Sequence, residues 1–168
     1  MHQIKAVSIE EIPVIQELSM EIWNKVYPPI IGQEQIDYML NMIYSDTSLQ
    51  KQMTEMKHQF IIICDDDDTT PIGFASYSIK SIDEPTIIRL NKLYLQPECH
   101  GKGLGKSMLD YIVTEAKQLG GTTLELNVNK YNPAIAFYKR QGFCISSETV
   151  VDIGHGYVMD DYIMTLIL

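Results

Sequence analysis

A chain of 168 residues, of which 45% are hydrophobic and 21% charged, is long enough for one domain with a sizeable core and has the composition of an ordinary globular protein. Its formal net charge of −9 disfavours nucleic acid and anionic membranes as partners, because phosphate contacts need clustered lysine and arginine, but it permits cationic partners. No window holds the roughly 18 apolar residues that span a bilayer, and three cysteines without a CxxC spacing argue against a disulfide framework or a structural zinc site.

The first third of the chain predicts a strand followed by helices. The predicted elements are a strand at His2–Val7, a helix as far as Val26, and a second helix over Gln33–Ile43 that continues after a break to Met56. Ser8 and Glu11 have the spacing of a helix capping box, and Tyr27-Pro28-Pro29 ends the first helix. No apolar signal-peptide core precedes these elements, so we expect a cytoplasmic protein.

Two strand-like runs, Phe60–Ile63 and Ile72–Ile79, flank a polar segment that predicts a hairpin turn. The segment Asp65–Pro71 contains four consecutive aspartates. It lacks the alternating ligands, central glycine and terminal glutamate of a calcium loop. We therefore interpret it as a solvated hairpin tip and predict no metal site in the chain.

The second half predicts a strand–helix–strand unit and a closing pair of strands. The predicted elements are strands at Ile87–Leu95 and Thr123–Val128 around a helix at Leu104–Leu119, a short helix at Pro133–Arg140, and strands near Phe143–Val151 and Tyr157–Leu168. Asn132 is the expected N-cap of the short helix. No repeat or linker divides the chain, so we predict a single domain over residues 1–168.

The segment Pro97–Ser107 is a glycine-rich loop between a strand and a helix. Such a loop exposes backbone N–H groups at a helix N-terminus, where a pyrophosphate can bind. The triphosphatase loop Gly-x-x-x-x-Gly-Lys-Ser matches at Gly105-Lys106-Ser107 but has His100 in place of its first glycine. The dinucleotide fingerprint Gly-x-Gly-x-x-Gly fails at its last position, which is Lys106.

A third pattern fits the same loop. The run from His100 to Gly105 resembles the pyrophosphate-binding segment Gln/Arg-x-x-Gly-x-Gly/Ala of the GNAT superfamily of N-acetyltransferases, with a histidine at the first position. The preceding Leu93–Glu98 is similar to the fourth strand of that family with its Pro-Glu exit. The segment Asn132–Phe143 is similar to a family segment that begins with an asparagine, continues into a helix with alanine and tyrosine, and ends in Gly-Phe. The resemblance covers nearly the whole chain.

The resemblance implies a fold, a cosubstrate and a set of site residues. The fold is the GNAT acyltransferase fold of the α/β (α+β) class, with a central mixed, mostly antiparallel twisted sheet of six or seven strands and about four flanking helices. The cosubstrate is acetyl-CoA, and a homodimer is allowed. The implied cofactor-binding residues are Leu93, Tyr94, Leu95, His100, Gly101, Lys102, Gly103, Leu104, Gly105, Lys106, Asn132 and Tyr138.

The family mechanism assigns two of these residues catalytic roles. An acceptor amine attacks the thioester directly, the backbone N–H of Leu95 would hold the oxyanion, and Tyr138 would protonate the leaving thiolate. Many relatives carry a glutamate on the fourth strand as base, but Ile88–Leu93 contains no carboxylate. Deprotonation through water, or by Asp160 or Asp161, therefore stays open.

The sequence specifies the acceptor amine less closely than it specifies the cosubstrate. The chain looks most like bacterial spermidine/spermine-type acetyltransferases, and its net charge of −9 suits a small cationic amine, although many acidic proteins have no electrostatic specialisation. Trp23 and Tyr27 are the candidate substrate residues, because aromatic rings can stack on an alkylammonium chain. Trp23 could instead be a core residue. The alternatives are a protein or peptide N-acetyltransferase and an acetyl-CoA-binding sensor without turnover.

Overall fold

A computed structural model describes residues 2–65 and 69–168. Within these ranges the chain forms seven strands and five α-helices, in the order that the sequence predicts. The strands are β1 (Gln3–Ala6), β2 (Gln59–Cys64), β3 (Pro71–Ile79), β4 (Ile87–Leu95), β5 (Thr123–Asn129), β6 (Cys144–Gly154) and β7 (Tyr157–Ile167). The helices are α1 (Ile12–Val26), α2 (Gln33–Tyr44), α3 (Asp46–Thr54), α4 (Leu104–Gln118) and α5 (Ala134–Arg140).

The strands form one open sheet in the order β1-β2-β3-β4-β5-β7-β6. Neighbouring strands β1 and β2, β2 and β3, β5 and β7, and β6 and β7 pair antiparallel. The pair β4 and β5, joined through α4, is parallel. The prediction of a mixed, mostly antiparallel sheet is therefore confirmed. By compactness the chain divides into two units, and both β4 and α4 contribute residues to each of them.

The first unit comprises Met1–Ser78 and Lys92–Tyr111. Its core is built from the apolar stripe of α1, including Ile15 and Ile22, and from β2, whose Phe60–Cys64 are all buried. A 3₁₀ turn precedes α1, and there the backbone N–H of Ser8 donates to Glu11 Oε2 at 2.9 Å. The predicted capping partners of this helix start are thus in contact.

The second unit comprises Ile79–Asn91 and Ile112–Leu168. Its core includes Ile88, Ile112, Leu124 and Met164, each fully buried. The register between β5 and β7 sets Asn129 opposite Asp161. This pairing brings polar residues of the last strand beside the end of β5.

Local details differ from the predicted boundaries. The second helical region breaks at Ser45, because its hydroxyl accepts a hydrogen bond from the Ser48 N–H at 3.3 Å and starts a new helix. Helix α5 begins at Ala134, one residue after the predicted Pro133. The predicted hairpin tip includes Asp66–Asp68, which lie outside the described residues. In the part of the chain that is described, no helix has the length and hydropathy of a membrane span.

Candidate functional site

The glycine loop of the first unit adopts backbone conformations that favour glycine. Gly101 and Gly103 have φ angles of +76° and +79°, in the left-handed region. The loop leads directly into α4, and the backbone N–H groups of the first turn of a helix have no acceptor within that helix. Gly101 and Gly103 are both exposed. The arrangement is suited to binding an anionic group through backbone N–H groups.

His100 connects this loop to the end of β4. Its Nε2 lies 3.0 Å from the carbonyl oxygen of Leu95, within hydrogen-bonding distance. Between them, a 3₁₀ turn at Pro97–Cys99 reverses the chain. The ring of His100, which stands where the family has glutamine or arginine, therefore braces the turn between strand and loop.

Two cations belong to the loop and the first turn of α4. Lys102 is exposed. Lys106 forms an ion pair with Asp110 one turn further along the helix, with Nζ 2.6 Å from Oδ2. Glu98 in the preceding turn pairs with Lys25 of α1 at 2.7 Å, and the hydrogen bond from Lys25 lowers the pKa of Glu98. These charges are solvent-exposed, so their pairs contribute little to stability.

The end of β4 borders an aromatic cluster in the first unit. Trp23 is only 2% exposed and stacks on Tyr27 at a ring-centroid distance of 4.4 Å. The hydroxyls of Tyr27 and Tyr94 lie 3.2 Å apart. Tyr27 and Tyr94 are half-buried. Of the two predicted substrate residues, Trp23 is thus enclosed in the core and Tyr27 is partly accessible.

Lys92 is a buried cation next to this cluster. Its Nζ donates to Gln52 Oε1 at 2.6 Å and lies over the rings of Tyr44 and Phe60, 5.8 and 5.3 Å from their centroids. Burial lowers the pKa of Lys92 to about 8. Burial and, to a smaller extent, the charge of Lys92 lower the pKa of nearby His58 to about 4. The alternation of β4, in which Ile88 and Leu90 are buried, is a sequence signal that could have identified Lys92 as an inward-facing residue.

The second unit holds the predicted tyrosine. Tyr138 is 8% exposed and packs edge-to-face against Phe137 and Phe143, at ring-centroid distances of 5.3 and 5.5 Å. Asn132 Oδ1 accepts a hydrogen bond from the Ala134 N–H at 2.9 Å, but the N-cap residue of α5 is Pro133, one position after the predicted Asn132. Tyr138 is therefore held in a defined position by packing on both sides.

A polar cluster in the second unit was only partly anticipated from the sequence. Arg89 of β4 donates to Glu125 Oε1 at 2.6 Å and to Asn127 Oδ1 at 2.7 Å. Asn127 in turn donates to the carboxylate of Asp161, which is 2% exposed. Burial is the largest influence on this carboxyl and raises the pKa of Asp161. Within residues 2–65 and 69–168, no group of three or more metal-ligating side chains is present.

Comparison with known proteins identifies the family. Residues 16–143 match the model of the acetyltransferase (GNAT) family. The spermidine N(1)-acetyltransferase of Thermoplasma acidophilum is 28% identical over 144 residues, which cover 84% of this chain and 87% of that protein. A peptidyl-lysine N-acetyltransferase of Salmonella typhimurium, YjaB, is 31% identical over 94 residues, covering 55% of this chain and 54% of that one.

A solved structure shows the same fold with a bound ligand. The PaiA N-acetyltransferase of Thermoplasma acidophilum in complex with coenzyme A superposes with a TM-score of 0.78 at 25% identity, covering 100% of this chain and 99% of that chain. The family match, the sheet order and the loop before α4 agree, and the chain belongs to the GNAT family as an N-acetyltransferase.

Proposed function

We propose that this N-acetyltransferase transfers the acetyl group of acetyl-CoA to a primary amine of the polyamine type or another small cationic amine. The glycine loop supports the part of the proposal that concerns acetyl-CoA. Left-handed Gly101 and Gly103, followed at once by α4, form a backbone cradle for the pyrophosphate in a chain of this family. The net charge of −9 and the similarity to a spermidine N(1)-acetyltransferase support the acceptor half.

The proposed cofactor contacts follow from the loop and from the end of β4. Backbone groups of Leu93–Leu95 would pair with the pantetheine arm, as an added strand pairs with a sheet edge. Backbone N–H groups from Gly101 to Lys106 would bind the pyrophosphate. The hydrogen bond from His100 to Leu95 gives His100 a bracing role in this scheme. Asn132, whose Oδ1 accepts from the first N–H of α5, would contact the cofactor.

The proposed chemistry is direct transfer within a ternary complex. The neutral amine attacks the thioester carbon, a C–N bond forms, and the Leu95 N–H stabilises the oxyanion. The C–S bond then breaks, and Tyr138 donates its phenolic proton to the leaving thiolate. Tyr27, partly accessible and stacked on buried Trp23, would contact the alkylammonium chain of the acceptor. We further propose that residues 1–168 act as a single domain, because β4 and α4 pass through both units.

A peptide amino group is the second candidate acceptor, because a peptidyl-lysine N-acetyltransferase is among the similar proteins. Acceptor pools offered with acetyl-CoA and a thiol reagent separate the possibilities. We expect coenzyme A release with a polyamine pool, little with peptides that carry a free N-terminus or lysine, and none without an acceptor. Acetylation of peptides alone would replace the polyamine proposal. Binding of acetyl-CoA without release in any pool would indicate a sensor and contradict the proposed function.

A further inference from the structure

We propose that Asp161 is the general base that takes the proton from the acceptor amine. The inference rests on the proposed function, because an alkylammonium with a pKa near ~10 must lose a proton before it can attack the thioester. Strand β4 supplies no carboxylate for this purpose. Among the described residues, three observations taken together distinguish Asp161 from Glu125, Glu148 and Asp160. Asp160 Oδ1 is also buried, but Lys130 Nζ lies 2.8 Å from it.

The first observation is an unsatisfied oxygen. Asp161 is 2% exposed, and its Oδ1 is buried with no hydrogen-bond partner in the described part of the chain. An ionised carboxylate only accepts hydrogen bonds, and a buried acceptor without a donor is costly. This oxygen therefore has an unused acceptor position inside the protein, which a water molecule that relays the proton of the acceptor amine would fill.

The second observation is the lack of an ion pair. Glu125 is also buried, but Arg89 and Lys80 approach its Oε1 at 2.6 and 3.5 Å. Glu148 and Asp160 share Lys130, at 2.9 and 2.8 Å. A cation in direct contact lowers the proton affinity of a carboxylate. In the described residues Asp161 has no such contact, so it retains more of its basicity.

The third observation is orientation. Asn127 Oδ1 accepts from Arg89, which turns the amide NH₂ group of Asn127 toward the Asp161 carboxylate. Asn127 is exposed, so the cluster reaches the protein surface at this residue. The hydrogen bonds from Arg89 to Asn127 and from Asn127 to Asp161 therefore hold the carboxylate in place.

The charged groups around Asp161 act in opposite directions. Burial raises the pKa of Asp161, the hydrogen bond from Asn127 lowers it, and the charge of Asp160 raises it. Arg89 and Lys130 lower it from a longer range. Asn129 of β5 and Thr149 of β6, which face Asp161 in the sheet register, are uncharged. A carboxyl whose pKa lies above its ordinary value is a stronger base near neutral pH.

The proposed step balances as a proton transfer followed by acyl transfer. The ammonium passes one proton through a water molecule to Asp161 Oδ1. The ammonium becomes a neutral amine, and the Asp161 carboxylate becomes a carboxylic acid. The amine nitrogen then forms the C–N bond as the C–S bond breaks, and the leaving thiolate takes the phenolic proton of Tyr138. The nitrogen loses its second proton as the amide forms, and this proton returns through water to the Tyr138 phenolate. Asp161 returns its proton to solvent before the next turnover.

The test compares Asp161→Asn with Asp160→Asn, a matched change at the adjacent residue of β7. The ratio kcat/KM for spermidine, or for the pool that releases coenzyme A, is measured against pH, with acetyl-CoA affinity by calorimetry. We expect Asp161→Asn to lower kcat/KM by about 10²–10⁴-fold with unchanged acetyl-CoA affinity. In this variant, the fall of kcat/KM at low pH, which is the acid limb of the pH profile, should disappear. Asp160→Asn should retain an acid limb, moved to lower pH because a neighbouring negative charge is lost, and an Asp160→Asn enzyme without an acid limb would instead make Asp160 the base.

Two further measurements separate a base from a structural carboxylate. Thermal unfolding of Asp161→Asn should occur at an equal or higher temperature, because the substitution removes a buried charge without an ion pair. Asp161→Glu should restore part of the lost rate together with an acid limb. An Asp161→Asn enzyme that keeps the wild-type acid limb, or that loses activity only through a lower melting temperature, overturns the proposal. A wild-type chain that releases no coenzyme A with any amine overturns the proposed function instead.

Discussion

At the residue scale, Lys92 shows how a buried charge affects stability. The side chain lies in an apolar and aromatic environment, and it donates to the neutral amide oxygen of Gln52 rather than to a carboxylate. Its pKa of about 8 lies below the unfolded value of about 10.4. The folded state therefore binds this proton less tightly than the unfolded state does. The resulting penalty is fully present below about pH 8 and is relieved as the pH rises toward ~10.4.

We expect Lys92→Met to stabilise the protein at neutral pH by about 1–3 kcal/mol. The shift of roughly two pKa units corresponds to about 3 kcal/mol, and the unpaired Gln52 oxygen offsets part of the gain. Urea unfolding at neutral pH and near ~pH 10 measures both effects, since the wild type should gain stability across this range and the variant should not. Lys117→Met, at an exposed position of α4, is the control. A less stable Lys92→Met protein would show that the contacts of the ammonium group outweigh its burial.

Tyr138 carries the prediction about the leaving group. Phenylalanine keeps the packing against Phe137 and Phe143 and removes the phenolic hydroxyl that would supply the proton. Tyr138→Phe should lower kcat by about 10²–10⁴-fold, or roughly 3–5 kcal/mol of barrier, with acetyl-CoA affinity little changed. The loss should shrink with an acyl donor whose thiol is more acidic. Tyr131→Phe, at a residue 77% exposed, should have no effect. If Tyr138→Phe keeps most of the wild-type kcat when the chemical step limits the rate, Tyr138 is only a packing residue.

At the element scale, the loop before α4 depends on its backbone conformation. A Cβ atom built on Gly103 meets no atom within 4 Å, so the constraint is its φ of +79° rather than lack of space. A β-branched residue is strained in this region. The glycine therefore determines how the successive N–H groups of the loop point.

Gly103→Val should weaken acetyl-CoA binding by about tenfold or more, because 1–2 kcal/mol of strain would rearrange the loop. Calorimetry measures the affinity, and circular dichroism verifies folding. Gly32→Val is the matched control, since Gly32 precedes α2 with a φ of −69° and open space around it. His100→Ala should have a smaller effect, limited to loss of the brace on Leu95. Unchanged acetyl-CoA affinity in a folded Gly103→Val variant would contradict the proposal that backbone N–H groups of the loop bind the pyrophosphate.

At the scale of the whole molecule, the acidic charge bears on the acceptor. A net charge of −9 attracts a polycation, and salt screens that attraction over about 8 Å at physiological ionic strength. We therefore expect KM for spermidine to rise with added salt, while KM for a neutral acceptor amine stays constant. Steady-state kinetics over a salt series measure the difference. A salt-independent KM for spermidine would mean that the net charge has no part in recognition.

Local sequence patterns determined most of the element order and the family. Helix α1 is predictable because its apolar residues repeat at three- and four-residue intervals, and its capping partners lie three residues apart. The glycine loop is predictable because left-handed backbone needs glycine at particular positions in a short segment. The break between α2 and α3 is also predicted, after Ile43, and the structure places it at Ser45, whose hydroxyl starts the new helix.

Only the tertiary structure decided how distant residues meet. The amino-acid pattern shows that Trp23 is aromatic and that Asp161 is acidic, but not that both are buried. The pairing of Asn129 with Asp161 joins strands separated by α5 and β6, so it depends on a long-range register that no local pattern specifies. That register gives Asp161 its burial and its partner Asn127, whereas neighbouring Asp160 receives Lys130. The chemistry of a carboxylate follows from its surroundings, and those surroundings exist only in the folded chain.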